Sequence, residues 1–438
     1  MGKKPDLTVE TNQLAIHGGA PVRTGPLPLE FPGVHHMGEE EIEAAGRVLR
    51  SKSPFRYYGM DCQKEVSNFE QEFAKFLGIP YAVAVTSGTG ALHVALSALG
   101  VGPGQEVIVP AYLWVSILAA VVNHGAIPVL ADIDGTFGLD PADVEKRITP
   151  RTAGIVLVHM SGAPANVHAI RKIAQEHHLF LLEDCAQCAG GSVGGQKVGT
   201  FGQMGIFSFQ MNKNLTAGEG GCVVTNDVAL YRRAVASHDL GYARDENGRM
   251  VFDRPELRLW GMGYRMDELR GAVLRVQLRK LPDIVTAMHR SKYRIRAALS
   301  EFSAVKLRTI VDPAGDTGCF LITTYPDREA AKAVNAALRA EGIATSPAGT
   351  SNVLMTEWGL HLYYNNLSLV NHTSVDPSGF PWTLPGNEGT GARYEKGACP
   401  IADSLFERSI LLPIPSCLTA KDEADIIAAF QKVLDSLL

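Results

Sequence analysis

The chain has 438 residues, 46% of them hydrophobic and 20% charged, with a formal net charge of −5. That length exceeds what one core sustains, so two domains are expected; the mild acidity gives nucleic acid or an anionic membrane no purchase as main partner. Residues 1–30 lack the apolar core of a signal peptide, no uncharged run reaches membrane-spanning length, and seven scattered cysteines make no disulfide scaffold, so a cytoplasmic protein with reduced, mostly structural thiols is expected.

Residues 1–35 read as an N-terminal arm, 36–281 as a large α/β domain and 282–438 as a smaller α+β domain. Early in the large domain, Phe55-Arg56-Tyr57-Tyr58-Gly59 offers Tyr57 and Tyr58 as candidate substrate contacts. From residue 80, short apolar runs alternate with longer amphipathic ones, the pattern of a mostly parallel sheet wrapped by helices. Seven strands are expected, at 81–85, 106–110, 127–133, 154–159, 179–183, 205–209 and 221–225. Helices fall near 90–99, 114–124, 141–147 and 165–177. An amphipathic helix follows at 265–281, with Leu274, Leu278 and Leu281 at helical spacing and Pro282 expected to end or kink it. A strand at 319–325 and helices at 328–341 and 420–437 build the small domain. The segment 348–400 is a long loop rich in glycine, proline and aromatics; Trp358, Tyr363, Tyr364, Phe380 and Trp382 predict that it is ordered, near the substrate or at a subunit contact.

Ligands of an open α/β sheet gather beyond the carboxyl ends of its strands. Three motifs fall there. Thr86-Ser87-Gly88-Thr89-Gly90 follows the first strand and opens a helix, offering hydroxyls and backbone N–H groups to a phosphate, although such runs also serve as ordinary caps. Glu183-Asp184-Cys185-Ala186-Gln187 ends another strand, and Ser208-Phe209 leads to Lys213 and the glycine-rich turn Gly218-Glu219-Gly220-Gly221. A lysine in that company is a candidate imine-forming nucleophile, with Asp184 as the acid that keeps a pyridine nitrogen protonated; together they call for pyridoxal phosphate. Gln187 is placed to bond the cofactor's phenolic oxygen and Trp114 to stack on the pyridine face, an aromatic after a strand being as often core. His159 ends a strand and reads as structural, with a substrate contact as the alternative. Cys185 and Cys188 lack a second pair at zinc spacing, and no metal site is expected.

Together these residues resemble the DegT/DnrJ/EryC1/StrS sugar aminotransferases, members of the pyridoxal phosphate fold type I (aspartate aminotransferase) superfamily, over most of the chain. The resemblance implies that Ser87-Gly88-Thr89 and Ser208 hold the phosphate, Trp114 stacks on the ring, Asp184 and Gln187 address the ring nitrogen and phenolic oxygen, and Lys213 carries the imine. It implies a homodimer with active sites at the interface. It also implies amino transfer from glutamate or glutamine to a keto sugar or keto cyclitol, with the cofactor cycling through pyridoxamine phosphate. Members with histidine for the lysine are dehydratases, whereas this chain keeps Lys213; the alternatives are a lyase or dehydratase on a related sugar, or a non-catalytic regulator that binds the cofactor. The form Thr216-Ala217-Gly218-Glu219-Gly220-Gly221 resembles the branch acting on cyclitols, aminohydroxybenzoate precursors and keto-octulosonates. One departure stands out: Gly263 occupies the place of an asparagine that in the family reaches the neighbouring subunit's phosphate.

Overall fold

The expected apolar runs pair into one sheet of seven strands: β1 (Tyr81–Val85), β2 (Glu106–Pro110), β3 (Ile127–Ala131), β4 (Thr152–Val158), β5 (Phe180–Asp184), β6 (Met204–Ser208) and β7 (Gly221–Thr225). This is a computed structural model, and it describes residues 13–245, 247–254, 257–346, 352–389 and 391–438. The strand order is β1-β7-β6-β5-β4-β2-β3. From β6 to β3 all pairs are parallel, while β7 runs antiparallel to both of its neighbours. Helices cover both faces, so β2, β6 and β7 are buried along their whole length and read as unbroken apolar runs.

Register then decides where chemistry can sit. Gly221 pairs with Val85 on one side and Ser208 on the other, so the end of β1, the end of β6 and the start of β7 lie side by side. Val158 pairs with Asp184, bringing the ends of β4 and β5 to the same edge. Glycine is required there: a Cβ on Gly221 would run into the Ser87 carbonyl, and one on Gly88 would stand 2.7 Å from the Ser208 Cβ.

Helix α1 (Glu39–Ser51) and α2 (Glu65–Leu77) precede the sheet, and α3 (Gly88–Leu99) follows β1 directly. The run expected at 265–281 becomes α4, Glu268–Leu299, capped by the Asp267 carboxylate and continuous through Pro282. Of the two outcomes expected at Pro282, an end or a kink, the end does not occur, for a packing reason. A proline inside a helix costs about 3 kcal/mol. Here the helix buries Leu274, Leu278 and Leu281 before the proline and Ile284, Met288, Ile295 and Leu299 after it, and each such side chain contributes about 1.5–3 kcal/mol. One helix thus runs across position 281/282.

The smaller sheet joins β8 (Lys306–Leu307), β9 (Phe320–Thr324), β10 (Val353–Leu354) and β11 (Ser409–Pro413) in the order β8-β9-β11-β10, all antiparallel. Against it pack α5 (Arg328–Ala340) and α6 (Ala420–Leu437). The N-terminal segment joins this core through Leu14 and Leu27, and Arg23 pairs with Asp422 at 2.7 Å and Asp425 at 2.9 Å. From residue 352 the long segment folds into β10 and short helical turns, and Met355, Leu362, Tyr363, Leu369 and Tyr394 pack into the core of the large sheet. No helix among the described residues is long and apolar enough to cross a membrane.

Candidate active site

The β6–β7 connection is a tight loop that holds Lys213 at the sheet's carboxyl edge. Phe209 donates its N–H to Gly220 O, Met211 to Gly218 O and Ala217 to Phe209 O, while Gly218 adopts φ +81°, a conformation that glycine reaches without strain. Lys213 lines a cavity of about 410 Å³. On its walls stand Ser87, Gly88, Thr89, Trp114, Asp184, Gln187 and Ser208, so every residue expected to touch the cofactor is gathered in one place.

Asp184 is 5% exposed. Burial raises its pKa, opposed by the Ala186 N–H that bonds its Oδ1 at 2.9 Å and by the Lys213 charge. Among the described residues that N–H is the only hydrogen-bond donor to the carboxylate, which leaves Oδ2 for a partner in the cavity. Lys213 as a residue is half-buried, yet its amine sits among enough protein that desolvation lowers its pKa, with Asp184 pulling the other way. A lysine so shifted holds its proton less tightly than a solvated one, which a nucleophilic or proton-moving amine requires.

The N-terminus of α3 gives the cavity a cup for an anion. Ser87 Oγ accepts the Gly90 N–H at 2.9 Å and so caps α3, and Thr89 Oγ1 bonds Ser116 Oγ at 2.8 Å. The first N–H groups of a helix have no internal partner and carry partial positive charge, so they favour phosphate. Among the described residues on these walls Lys213 is the only lysine, and no arginine is present, so dipoles and hydroxyls hold an anion here. A desolvated carboxylate with a free oxygen, a neighbouring amine, an anion cup and the half-exposed Trp114 ring (44%) fit the pyridine nitrogen, aldehyde, phosphate and ring face of pyridoxal phosphate.

Three candidate substrate contacts are not brought to this cavity. His159 is fully buried: its Nε2 lies 3.0 Å from Glu183 Oε2 and its Nδ1 accepts the Ala165 N–H. Tyr57 bonds His238 Nε2 at 3.1 Å beneath the Arg244 guanidinium and lines a separate hollow, and Tyr58 is 72% exposed. His159, Glu183 and Cys185 do cluster within 4.8 Å. The Glu183 carboxylate, however, already takes N–H groups from Gly199, Phe201 and Gly202 besides its histidine contact, and burial pushes the Cys185 thiol far up, which leaves a cation no ready anionic ligand. The walls also include Glu30, Met160, Cys319, Phe320, Trp358 and His361, which the motifs did not indicate; the density of aromatics in 348–400 was the one signal for Trp358.

Gly263 stands beside the anion cup, since Tyr264 O accepts the Thr86 N–H. Its φ is +71° and a Cβ there would meet nothing within 4 Å. Asparagine is the side chain that best tolerates this region, so Gly263→Asn should cost less than about 1 kcal/mol; a thermal melt of the apoprotein checks it.

An open α/β sheet with a lysine, a buried aspartate and a phosphate-type cup at its carboxyl edge is the architecture of the fold type I aminotransferases. The chain belongs to the DegT/DnrJ/EryC1/StrS aminotransferase family, whose model matches residues 35–358. The L-glutamine:2-deoxy-scyllo-inosose aminotransferase of Streptomyces fradiae is 33% identical over 437 residues, 96% of this chain and 97% of that protein. Its namesake from Streptomyces kanamyceticus is 36% identical over 357 residues, 78% and 82% of the respective lengths. Among solved structures, 3-amino-5-hydroxybenzoic acid synthase matches with a TM-score of 0.74 at 29% identity, covering 92% of this chain and 97% of the other. DesV of S. venezuelae gives 0.74 at 28% identity, covering 94% and 99%.

Proposed function

We propose that this enzyme moves the amino group of glutamine or glutamate to a keto cyclitol or keto sugar, with pyridoxal phosphate held on Lys213, in the biosynthesis of an amino sugar, an antibiotic or a surface polysaccharide. The observation that carries this reading is that the Lys213 amine and the Asp184 carboxylate share one cavity with the N-terminus of α3. When bound, the cofactor supplies an aldehyde that links to amines and a ring that draws electrons from the adjoining carbon. Asp184 holds a proton on the ring nitrogen. Ser87, Thr89, Ser208 and the first N–H groups of α3 bind the phosphate, and Trp114 covers one face of the ring. Lys213 would supply the covalent attachment and, when its amine is free, would carry the proton from the donor's Cα. Trp114, Phe320 and Trp358 give the cavity the aromatic walls that suit the C–H face of a six-membered polyol ring.

The relatives named for glutamine and 2-deoxy-scyllo-inosose favour a cyclitol acceptor and a glutamine donor. We place the enzyme in the cytoplasm as a homodimer. Its seven cysteines are all free thiols, and Trp260 (95% exposed) and Phe252 (62%) leave apolar surface for a second copy to cover. The test is to load the protein with cofactor, add the donor, and then titrate with a panel of keto cyclitols and keto sugars. One equivalent of the donor's keto acid per amine formed is the expected result. Product without new nitrogen would indicate the lyase or dehydratase instead.

A further inference from the structure

His361 enters the cavity from the short turn Gly359–His361, far in sequence from every motif that builds the site. Its ring stacks on Trp358 at 4.6 Å and 13° and lies 4.8 Å from the Trp114 ring. Nδ1 is 3.0 Å from the Trp358 carbonyl, which can only accept, so Nδ1 carries the proton and Nε2 presents a lone pair. That lone pair faces Gln187 Nε2 at 3.3 Å. The other end of the same amide is fixed independently, because Gln187 Oε1 accepts the Ser161 N–H at 2.9 Å. Ser161 is held in turn by its Oγ, 2.9 Å from the hydroxyl of the fully buried Tyr112.

The two contacts assign the same orientation to Gln187: oxygen toward Ser161, nitrogen toward His361. An amide nitrogen has two hydrogens, and with one engaged by the imidazole the other remains for the cavity that Gln187 lines. The histidine keeps its lone pair through the working pH range, since burial, with the Lys213 charge adding to it, pushes its pKa down to about 4 while the Trp358 carbonyl opposes the shift.

We propose that His361 is a positioning residue: its Nε2 lone pair orients the Gln187 amide so that the second N–H is presented to the ring oxygen of the bound cofactor. This rests on the functional reading above. Gln187 acts on the cofactor and His361 acts through Gln187, so the two should behave as one unit.

The readout is the pH midpoint of the bound cofactor's visible band. An N–H donated to the ring oxygen stabilises its negative charge and weakens the oxygen's hold on a shared proton, so losing it should raise the midpoint. His361→Phe keeps an aromatic between the tryptophans but removes the lone pair, and is expected to shift the midpoint up by about one unit, with turnover reduced. His361→Gln, which can return an acceptor oxygen near the Nε2 position, should restore most of the shift. Gln187→Ala should shift it comparably, and combining it with His361→Phe should add nothing further. In the unsubstituted holoenzyme, nitrogen-15 NMR of the imidazole should find Nδ1 protonated and Nε2 bare at pH 7. An unmoved midpoint in His361→Phe, shifts that simply add, or a proton on Nε2 overturns the proposal while leaving the functional reading intact. An unsubstituted protein that takes up no cofactor overturns both.

Discussion

Lys213→Ala abolishes turnover and leaves the cofactor-loaded protein without its visible band. A single positioned general base contributes about 10²–10⁴-fold to a proton transfer, and this amine also supplies the covalent attachment, so the loss in kcat should reach the top of that range or beyond. The fold should be untouched. A lysine whose pKa is lowered by folding makes the native state bind fewer protons than the unfolded chain. Such a group weakens stability while it is forced to stay charged, and the penalty fades as pH rises from the folded toward the unfolded value. Removing the amine lifts that penalty, so the apo variant should melt no lower than the parent protein near neutral pH. Paired spectra and melts separate a lost nucleophile from a lost fold. A variant that kept the band would move the attachment point to some other amine.

The parts of the site that were legible in the sequence are those carried by a few consecutive residues at the end of an apolar run. Ser87, Asp184 and Lys213 each lie within five residues of a strand's end, and a parallel sheet brings such ends to one edge whatever the loops do. The same logic explains the structural place of His159. Val158 and Asp184 are register partners and both line the cavity, so the next residue, His159, turns with Glu183 to the opposite face. Strand alternation would have found this. His361, Trp358, Cys319 and Phe320 arrive from beyond residue 315, and only the packing of the 352–400 segment on the large sheet brings the first two to the site. Beyond the density of aromatics that pointed to Trp358, no local pattern encodes that. Tyr57 is tied by Arg244 and His238, partners about 180 residues away in sequence. At Pro282 burial on both sides of the residue carries the helix through where a local rule allowed it to end.

Asp184→Asn should damage catalysis and at the same time relieve the apoprotein. The amide keeps an oxygen for the Ala186 N–H, so the end of β5 has no reason to move. What it loses is the negative charge opposite the protonated ring nitrogen. Breaking a buried pair from one side costs about 3–5 kcal/mol, and if that falls on the step in which the ring must accept electrons, kcat drops by about 10²–10³-fold or somewhat more. Cofactor retention should suffer less, because the cup at α3 and the attachment at Lys213 remain. The stability effect has the other sign. Burial raises the Asp184 pKa, so folding favours the protonated acid. Its contribution is present below the ordinary carboxylate value and is lost as pH rises through the folded value. At neutral pH the apoprotein therefore carries a desolvated charge that asparagine removes. The apo variant should melt at the same temperature as its parent or higher, and the rise in melting temperature on adding cofactor should be smaller than in the parent. Unchanged turnover would mean that the ring nitrogen is served by another group, and an apo variant that melts well below its parent would mean that the Asp184 charge supports the fold instead of waiting for the cofactor.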